Sequence, residues 1–180
     1  LTPDALTKLV ESGDIDTVIV AFTDMQGRLV GKRVSARLFI EDAMSHGAEC
    51  CNYLLAVDVD MNTVDGYQIS SWERGYGDMA MMPDMSTLRL APWLPGTALV
   101  TADLTWLDHT PVVQSPREIL RRQMARLAEH GLVPYVGTEL EFIVFDETYR
   151  GAWAKGYRDL RASTDYNVDY DLLASNRVEP

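Results

Sequence analysis

The sequence predicts an α+β fold, in which strands and helices follow one another without a repeated strand–helix unit. Short runs rich in Val, Ile and Leu, bounded by Gly, Pro and Asp, predict strands within residues 1–110. One segment between these runs has apolar residues at helical spacing. The chain has 180 residues, of which 47% are apolar and 24% charged, as in ordinary globular proteins. A chain of this size can bury a hydrophobic core.

A short helix and a β-hairpin are the first elements that the sequence predicts. Thr2 can cap the helix, Pro3 fits its first position and Gly13 can end it. The run at residues 16–24 is rich in Val and Ile, which is typical of a strand. We interpret "MQGR" as the hairpin turn and residues 29–36 as the returning strand.

A helix, three strands and a long loop complete the N-terminal region. Residues 37–47 have the apolar spacing of an amphipathic helix, and residues 49–60 predict the next strand. Glycine and proline interrupt residues 61–85, which predicts a loop, and loops of this length are more often functional than not. Two strands are then predicted, at residues 86–93 and 97–106.

The clearest helix of the sequence is predicted at residues 115–131. Ser115 and Glu118 have the spacing of a capping box, in which each side chain binds the other residue's main-chain N–H. The predicted buried stripe of this helix consists of Leu120, Met124, Leu127 and Ala128. Because the helix opens a new region, we predict two domains, residues 1–110 and residues 111–180, of which the second is incomplete.

Charge and cysteine content exclude some classes of protein. The net charge of −11 argues against a nucleic-acid-binding protein, which needs a basic face. No apolar run reaches the ~18 residues of a membrane span, and no signal peptide is visible. Cys50 and Cys51 are neighbours and rarely form a disulfide with each other, so we expect reduced thiols in a cytoplasmic protein.

The strand predicted at residues 133–145 carries two carboxylates on one face. Residues two apart share a face of a strand, so Glu139 and Glu141 point the same way while the opposite face is apolar. Side chains at this spacing lie roughly 6–7 Å apart, and two anions so close repel each other unless a cation lies near. Mg²⁺ or Mn²⁺ suits such oxygen ligands. The alternative is a half-exposed strand whose glutamates face water.

Four stretches of the sequence resemble the glutamine synthetase family. "PREILRR" and "GTELEFIVF" match the family patterns Pro-Arg-x-x-Leu-(Lys/Arg)-(Lys/Arg) and Gly-x-Glu-x-Glu-Phe-x-(Leu/Val)-Phe. "VIVAFTDMQGRLVGKRV" resembles the opening hairpin of the family, and "GYGDMAMMPDMSTLRLAPW" resembles its Asp-(x)₄-Pro-(x)₃-Thr-(x)₃-Pro-Trp block. The resemblance covers residues 15–145 and thins out beyond them.

The resemblance implies a fold and an activity. It implies a β-grasp-like N-terminal domain, followed by the beginning of a catalytic domain with an antiparallel sheet and helices. Members of the family use ATP to join the γ-carboxylate of glutamate to ammonia or an amine through γ-glutamyl phosphate. They form ring-shaped homo-oligomers, expected here to be dodecamers, without nucleic-acid or membrane partners.

The resemblance also assigns roles to particular residues. It implies that Glu139 and Glu141 are metal ligands for Mg²⁺ or Mn²⁺, beside the nucleotide phosphates and the glutamate substrate respectively. The remaining ligands of the family lie further along the chain, so we expect these 180 residues alone to be inactive. The family also uses an aspartate to bind ammonium and remove its proton, in a D-G-S-S loop that this sequence lacks. Asp58, Asp60 and Asp65 are the candidates, and we favour Asp58 as catalytic because it comes near the end of a predicted strand and, as in relatives of this subtype, directly follows an apolar run.

The changed loop bears on the identity of the amine. Together with "GRLVGKRV" and "GYGD", it favours the branch that makes γ-glutamylpolyamines or other γ-glutamyl amides, with ammonia as the alternative. Trp72, Tyr76 and Trp93 could contact an amine by cation–π interaction, although such aromatic residues more often pack in a core. A non-catalytic binding or regulatory protein of the same fold is the alternative function.

Overall fold

The computed structural model describes residues 1–71, 73, 75–164 and 170–171. The chain forms two compact units, Leu1–Pro134 and Tyr135–Pro180. The first unit contains a six-stranded sheet, whereas the second contains one short helix and irregular segments among its described residues. No helix in the described part of the chain is both long and apolar enough to cross a membrane.

The sheet of the first unit is mixed. Its strands are β1 (Thr17–Thr23), β2 (Leu29–Ser35), β3 (Ala48–Cys51), β4 (Asp78–Pro83), β5 (Arg89–Leu90) and β6 (Thr97–Trp106). They lie in the order β2-β1-β6-β4-β3, and β5 also pairs with β6. β1 and β6 run parallel, with Thr17 opposite Thr97, whereas the other pairs are antiparallel.

Helices cover part of this sheet. They are α1 (Pro3–Glu11), α2 (Ala36–Leu38), a π-helical turn (Phe39–Ala43), α3 (Met44–His46) and α4 (Pro116–Glu129). The predicted cap of α1 is confirmed, because the Thr2 hydroxyl accepts a hydrogen bond from the Ala5 N–H at 3.2 Å. Leu6 of α1 and Phe39 of the π-helical turn are fully buried in one core with Val20 and Val100 of the sheet. The α+β prediction is confirmed, while the finer β-grasp-like description stays a prediction.

Three predictions about strands in the first unit need correction. The strand expected at residues 49–60 ends at Cys51, because a 3₁₀ turn (Asn52–Leu55) follows it. The strand expected at residues 86–93 is only the two-residue β5. A strand that was not predicted, β4, lies inside the segment expected to be a loop. It forms because β3 and β6 pair with it from both sides, which a sequence pattern does not reveal.

Helix α4 confirms the predicted helix but not its details. No side chain caps its N-terminus at Ser115, so the predicted capping box is not formed. Leu120 and Met124 of the predicted buried stripe are 61% and 45% exposed, and Ala128 is also exposed. The apolar spacing is present, but burial also requires a partner surface on that side of the helix.

The second unit lacks the strand predicted at residues 133–145. Among its described residues, regular structure consists of α5 (Tyr149–Ala154) and one isolated bridge between Phe145 and Ala162. A strand is stable only when neighbouring strands satisfy its main-chain N–H and C=O groups, and among the described residues such pairing begins only at the Val144 carbonyl, which accepts a hydrogen bond from the Ser163 N–H at 2.9 Å. The compact units divide after Pro134, so α4 belongs to the first of them. The predicted domain boundary after residue 110 stays a prediction.

Candidate functional site

The turn between β1 and β2 is organised around the buried carboxylate of Asp24. Asp24 is 1% exposed, and its Oδ1 accepts hydrogen bonds from the N–H groups of Gln26 at 2.9 Å and Arg28 at 2.8 Å. Its Oδ2 accepts a third hydrogen bond from Arg28 Nε at 2.7 Å. Burial alone would raise the pKa of Asp24, but the hydrogen bonds from Arg28 and Gln26 outweigh it and lower that pKa. The carboxylate is therefore ionised and fixes the Arg28 side chain.

Arg28 and Gln26 connect this turn to a loop about 30 residues further along the chain. Arg28 Nη1 donates to the Val59 carbonyl at 2.7 Å, and Nη2 donates to the Asp58 carbonyl at 3.2 Å. The Gln26 side-chain amide donates to the Val57 carbonyl at 2.8 Å. Three successive carbonyl groups of the loop are thus held by the hairpin turn.

The loop at residues 57–62 closes around the side chain of Asp58. Asp58 Oδ1 accepts hydrogen bonds from the N–H groups of Asp60 and Asn62, both at 2.9 Å, and Oδ2 accepts one from Asn62 Nδ2 at 3.1 Å. Hydrogen bonding by the Asn62 side chain is the main cause of the lowered pKa of Asp58. Met61 has a φ of 67°, a left-handed conformation that is uncommon for residues other than glycine. The loop therefore has one specific, partly strained conformation.

The three candidate aspartates differ in how far their side chains are buried and hydrogen-bonded. Asp58 is half-buried with both carboxylate oxygens hydrogen-bonded, whereas Asp60 and Asp65 are exposed. An ionised carboxylate held in this way can attract a cationic amine. Of the aromatic candidates, Tyr76 packs edge-on against Tyr53 at 5.9 Å between ring centroids, and Trp93 is 63% exposed. Trp72 lies outside the described residues.

Glu139 and Glu141 lie in the second unit, and both are exposed. Because residues 135–144 do not form a strand, the predicted common face is not present there. Their carboxylate oxygens suit Mg²⁺ or Mn²⁺. In the part of the chain that the structure describes, however, no group of three His, Cys, Asp or Glu residues could hold a metal ion. These residues therefore do not make a complete metal site by themselves.

Sequence reasoning missed the functions of two arginines. It treated the "MQGR" segment only as a turn, although Asp24 and Arg28 link it to the Asp58 loop. It also treated Arg117 only as part of a family pattern. Arg117 donates from Nε to Asp103 Oδ1 at 2.7 Å and from Nη2 to Asp84, which joins the start of α4 to the sheet. For Arg28, the available signal was an aspartate four residues earlier, Asp24, in a predicted turn. This spacing is too common to indicate a long-range contact.

Family comparison agrees with the fold and the motifs. The family described as glutamine synthetase, catalytic domain, matches residues 113–178. The solved structure of the "GmaS/ADP complex" aligns over 69% of this chain and 26% of that chain, with a TM-score of 0.53 and 25% identity. A structure called a "novel glutamine synthase homolog" aligns over 79% of this chain and 35% of that chain, with a TM-score of 0.55. At 17% identity, this second match supports the fold alone. The chain belongs to the glutamine synthetase family.

Its curated relatives include enzymes named for amide synthesis from organic amines. The chain is 60% identical over 177 residues to "Gamma-glutamylethanolamide synthetase GlnA4" of Streptomyces coelicolor. This alignment covers 98% of this chain and 38% of that protein. It is 34% identical over 164 residues to "Glutamate--isopropylamine ligase" of a Pseudomonas species. This alignment covers 91% of this chain and 36% of that protein. The chain thus spans well under half the length of these relatives.

Proposed function

We propose that the full-length protein containing this chain is an ATP-dependent carboxylate–amine ligase that makes a γ-glutamyl amide. The carrying observation is the 60% identity with a γ-glutamylethanolamide synthetase over 98% of the chain. In the proposed reaction, the γ-carboxylate of glutamate attacks the γ-phosphate of ATP, which gives ADP and γ-glutamyl phosphate. The amine nitrogen then attacks the acyl carbon, and phosphate leaves.

We further propose that the amine is a small organic primary amine rather than ammonia. One relative is named for an ethanolamide product and another for isopropylamine as substrate. A third is named "Gamma-glutamylanilide synthase". The absence of the D-G-S-S loop supports the same proposal, since this is the loop that handles ammonium in glutamine-forming members.

In this proposal, Asp58 binds the protonated amine and accepts its proton before the nitrogen attacks. The lowered pKa favours the ionised form of the carboxylate and so supports binding of the cation, while the proton-acceptor role rests on the resemblance to the family and not on this pKa. The hydrogen bonds from Asp60 and Asn62 orient both oxygens. These contacts support Asp58 over the exposed alternatives Asp60 and Asp65.

The remaining proposals concern the organisation of the full-length protein. Glu139 and Glu141 would contribute to a divalent-cation site that needs further ligands. Residues 1–110 would form the β-grasp-like domain, which the parallel pairing of β1 and β6 at the centre of the sheet supports. Residues 111–180 would begin the catalytic domain, which the family match at residues 113–178 supports. The full-length protein would assemble into a ring.

An amine panel tests the proposed function. Phosphate release by the full-length protein is measured with ATP, glutamate and one amine at a time: ammonia, ethanolamine, isopropylamine, putrescine or spermidine. We expect ethanolamine or isopropylamine to give a kcat/KM at least about tenfold above that for ammonia, a difference near 1.4 kcal/mol in transition-state binding. A preference for ammonia would contradict the organic-amine proposal. Absence of turnover with every amine would leave the non-catalytic alternative.

A further inference from the structure

We infer that Arg28 is a positioning residue for the amine: its guanidinium group holds the main chain of the 57–62 loop and thereby sets the position of the Asp58 carboxylate. This inference rests on the proposed role of Asp58. Arg28 and Asp58 are 30 residues apart in the sequence, and no pattern in it pairs them. Their contact arises only because the β1–β2 turn and the loop after the 3₁₀ turn lie side by side.

The position of the guanidinium group is fixed from the hairpin side. Its Nε donates to Asp24 Oδ2 at 2.7 Å, and the Asp24 side chain is completely buried while that of Arg28 is 32% exposed. Asp24 is itself held by the N–H groups of Gln26 and Arg28. Because the guanidinium group is planar, fixing Nε also fixes the directions in which the two Nη groups can donate.

Those two Nη groups reach the two successive peptide groups that follow the Cα atom of Asp58. Nη1 donates to the Val59 carbonyl at 2.7 Å and Nη2 to the Asp58 carbonyl at 3.2 Å. Two adjacent carbonyl groups bound by one rigid fork leave little freedom to the backbone that carries the Asp58 side chain. A lysine has one compact ammonium group and cannot reproduce this planar arrangement.

The loop itself needs such support. Met61 is in the left-handed region at a φ of 67°, and conformations of this kind persist only when surrounding contacts determine them. The Asp58 carboxylate binds Asp60 and Asn62, which are members of the same loop, so these bonds shape the loop without anchoring it to the sheet. Anchoring comes from Arg28 and, at the Val57 carbonyl, from Gln26.

The test compares three variants of the full-length protein. Arg28→Met removes the charge and the donors, whereas Arg28→Lys keeps a positive charge beside Asp24 but loses the planar fork. Arg33→Met is the matched control, because Arg33 is an exposed arginine on the adjoining strand β2. The readouts are the KM values for the amine, glutamate and ATP, the kcat, and amide hydrogen exchange of residues 57–64 with residues 17–23 as the internal reference.

We expect both Arg28 variants to raise the KM for the amine roughly 10- to 100-fold, as a small displacement of a catalytic group does. The KM values for glutamate and ATP should stay within about twofold, and exchange in residues 57–64 should be at least about tenfold faster. Arg33→Met should change none of these quantities. Arg28→Lys keeps the test valid if Arg28→Met does not fold.

Two results would overturn the inference, and they differ from a failure of the proposed function. An unchanged KM for the amine in an active, folded Arg28→Lys protein would contradict the inferred positioning role. Unchanged amide hydrogen exchange of residues 57–64 in the Arg28 variants would show that Arg28 does not anchor the loop. If the unaltered protein makes no amide with any amine, the proposed function is wrong and the role of Arg28 toward an amine is wrong with it.

Discussion

The Asp58 carboxylate offers a direct test at the scale of a single residue. In Asp58→Asn, the side-chain oxygen can still accept hydrogen bonds from the N–H groups of Asp60 and Asn62, but the negative charge and the proton acceptor are lost. We expect kcat/KM for the amine to fall by about 10²- to 10⁴-fold in the full-length protein, as for loss of a general base. Steady-state kinetics with the preferred amine measures this change.

Asp65→Asn is the matched control for that substitution. Asp65 is exposed and lies in the same long segment of the chain, so its neutralisation changes the local charge by the same amount. It should alter kcat/KM by no more than about twofold. Equal losses in both variants would show that overall charge matters and that Asp58 has no specific role.

Asp24 leads to a prediction about pH. Its pKa in the folded protein lies below the ordinary value of 3.8, so the stability it contributes is fully present above the pKa of the unfolded chain. That stability is lost as the pH falls through the lowered folded-state pKa. Asp24→Asn should therefore lower the melting temperature at pH 7, by the equivalent of about 2 kcal/mol for a charged hydrogen bond.

The difference between the two proteins should narrow as the pH falls below about 4, because the Asp24 carboxylate of the unfolded chain becomes protonated there while that of the folded protein, with its lowered pKa, is protonated only at still lower pH. Thermal unfolding at pH 7 and at pH 3, followed by circular dichroism, gives the comparison. A melting-temperature difference that is the same at both pH values would contradict the proposed contribution of the ionised Asp24.

At the scale of an element, α4 depends on ionic contacts at its beginning. Arg117 binds Asp103 of β6 and Asp84, and Arg121 also binds Asp103, at 2.9 Å. Hydrogen bonding by Ser86 is the main cause of the lowered pKa of Asp84, and Arg117 adds to it. Arg117→Met should destabilise the protein by about 1–2 kcal/mol, since two partly exposed carboxylates lose a partner.

Urea denaturation of the full-length protein measures that loss. Arg122→Met on the exposed side of the same helix removes an equal charge and should change stability by less than about 0.5 kcal/mol. If Arg122→Met were as harmful as Arg117→Met, the loss would reflect the net charge of the helix and not the specific ion pairs.

The elements also show which parts of the structure the sequence could predict. α1, β1, β2 and β6 were predicted well because their signals are local: caps, turns and runs of β-branched residues. β4 was missed and residues 133–145 were predicted wrongly, because a strand forms only where neighbouring strands pair with it. Asp58 could be nominated by its position after an apolar run. Its anchoring by Arg28 could not, since that contact depends on the tertiary packing of two turns.

At the scale of the whole molecule, the prediction concerns the metal site. The described residues contain no complete ligand group, and the chain spans 38% of the length of its 60%-identical relative. We expect the 180-residue chain alone to show no amine-dependent phosphate release, and the full-length protein to bind Mn²⁺ through Glu139 and Glu141. Glu139→Gln and Glu141→Gln should each weaken Mn²⁺ binding by at least about tenfold, because each removes a charged ligand.

Isothermal titration of the full-length proteins with Mn²⁺ alone measures this affinity. Glu129→Gln, at the end of α4, is an exposed control of the same chemistry and should bind like the unaltered protein. Unchanged affinity in the Glu139 and Glu141 variants would refute the metal assignment. Turnover well above background by the 180 residues alone would refute the view that they hold only part of the site.

The parallel pairing of β1 with β6 also has a consequence for how the first unit folds. Thr17 pairs with Thr97 and Ala21 with Thr101, so this pairing joins residues 80 positions apart, whereas the β1–β2 hairpin is local. Contacts between distant residues are slow to form because a long loop must close first. During synthesis, the hairpin and its Asp24–Arg28 turn can form early, but the centre of the sheet can close only after residue 101 has left the ribosome.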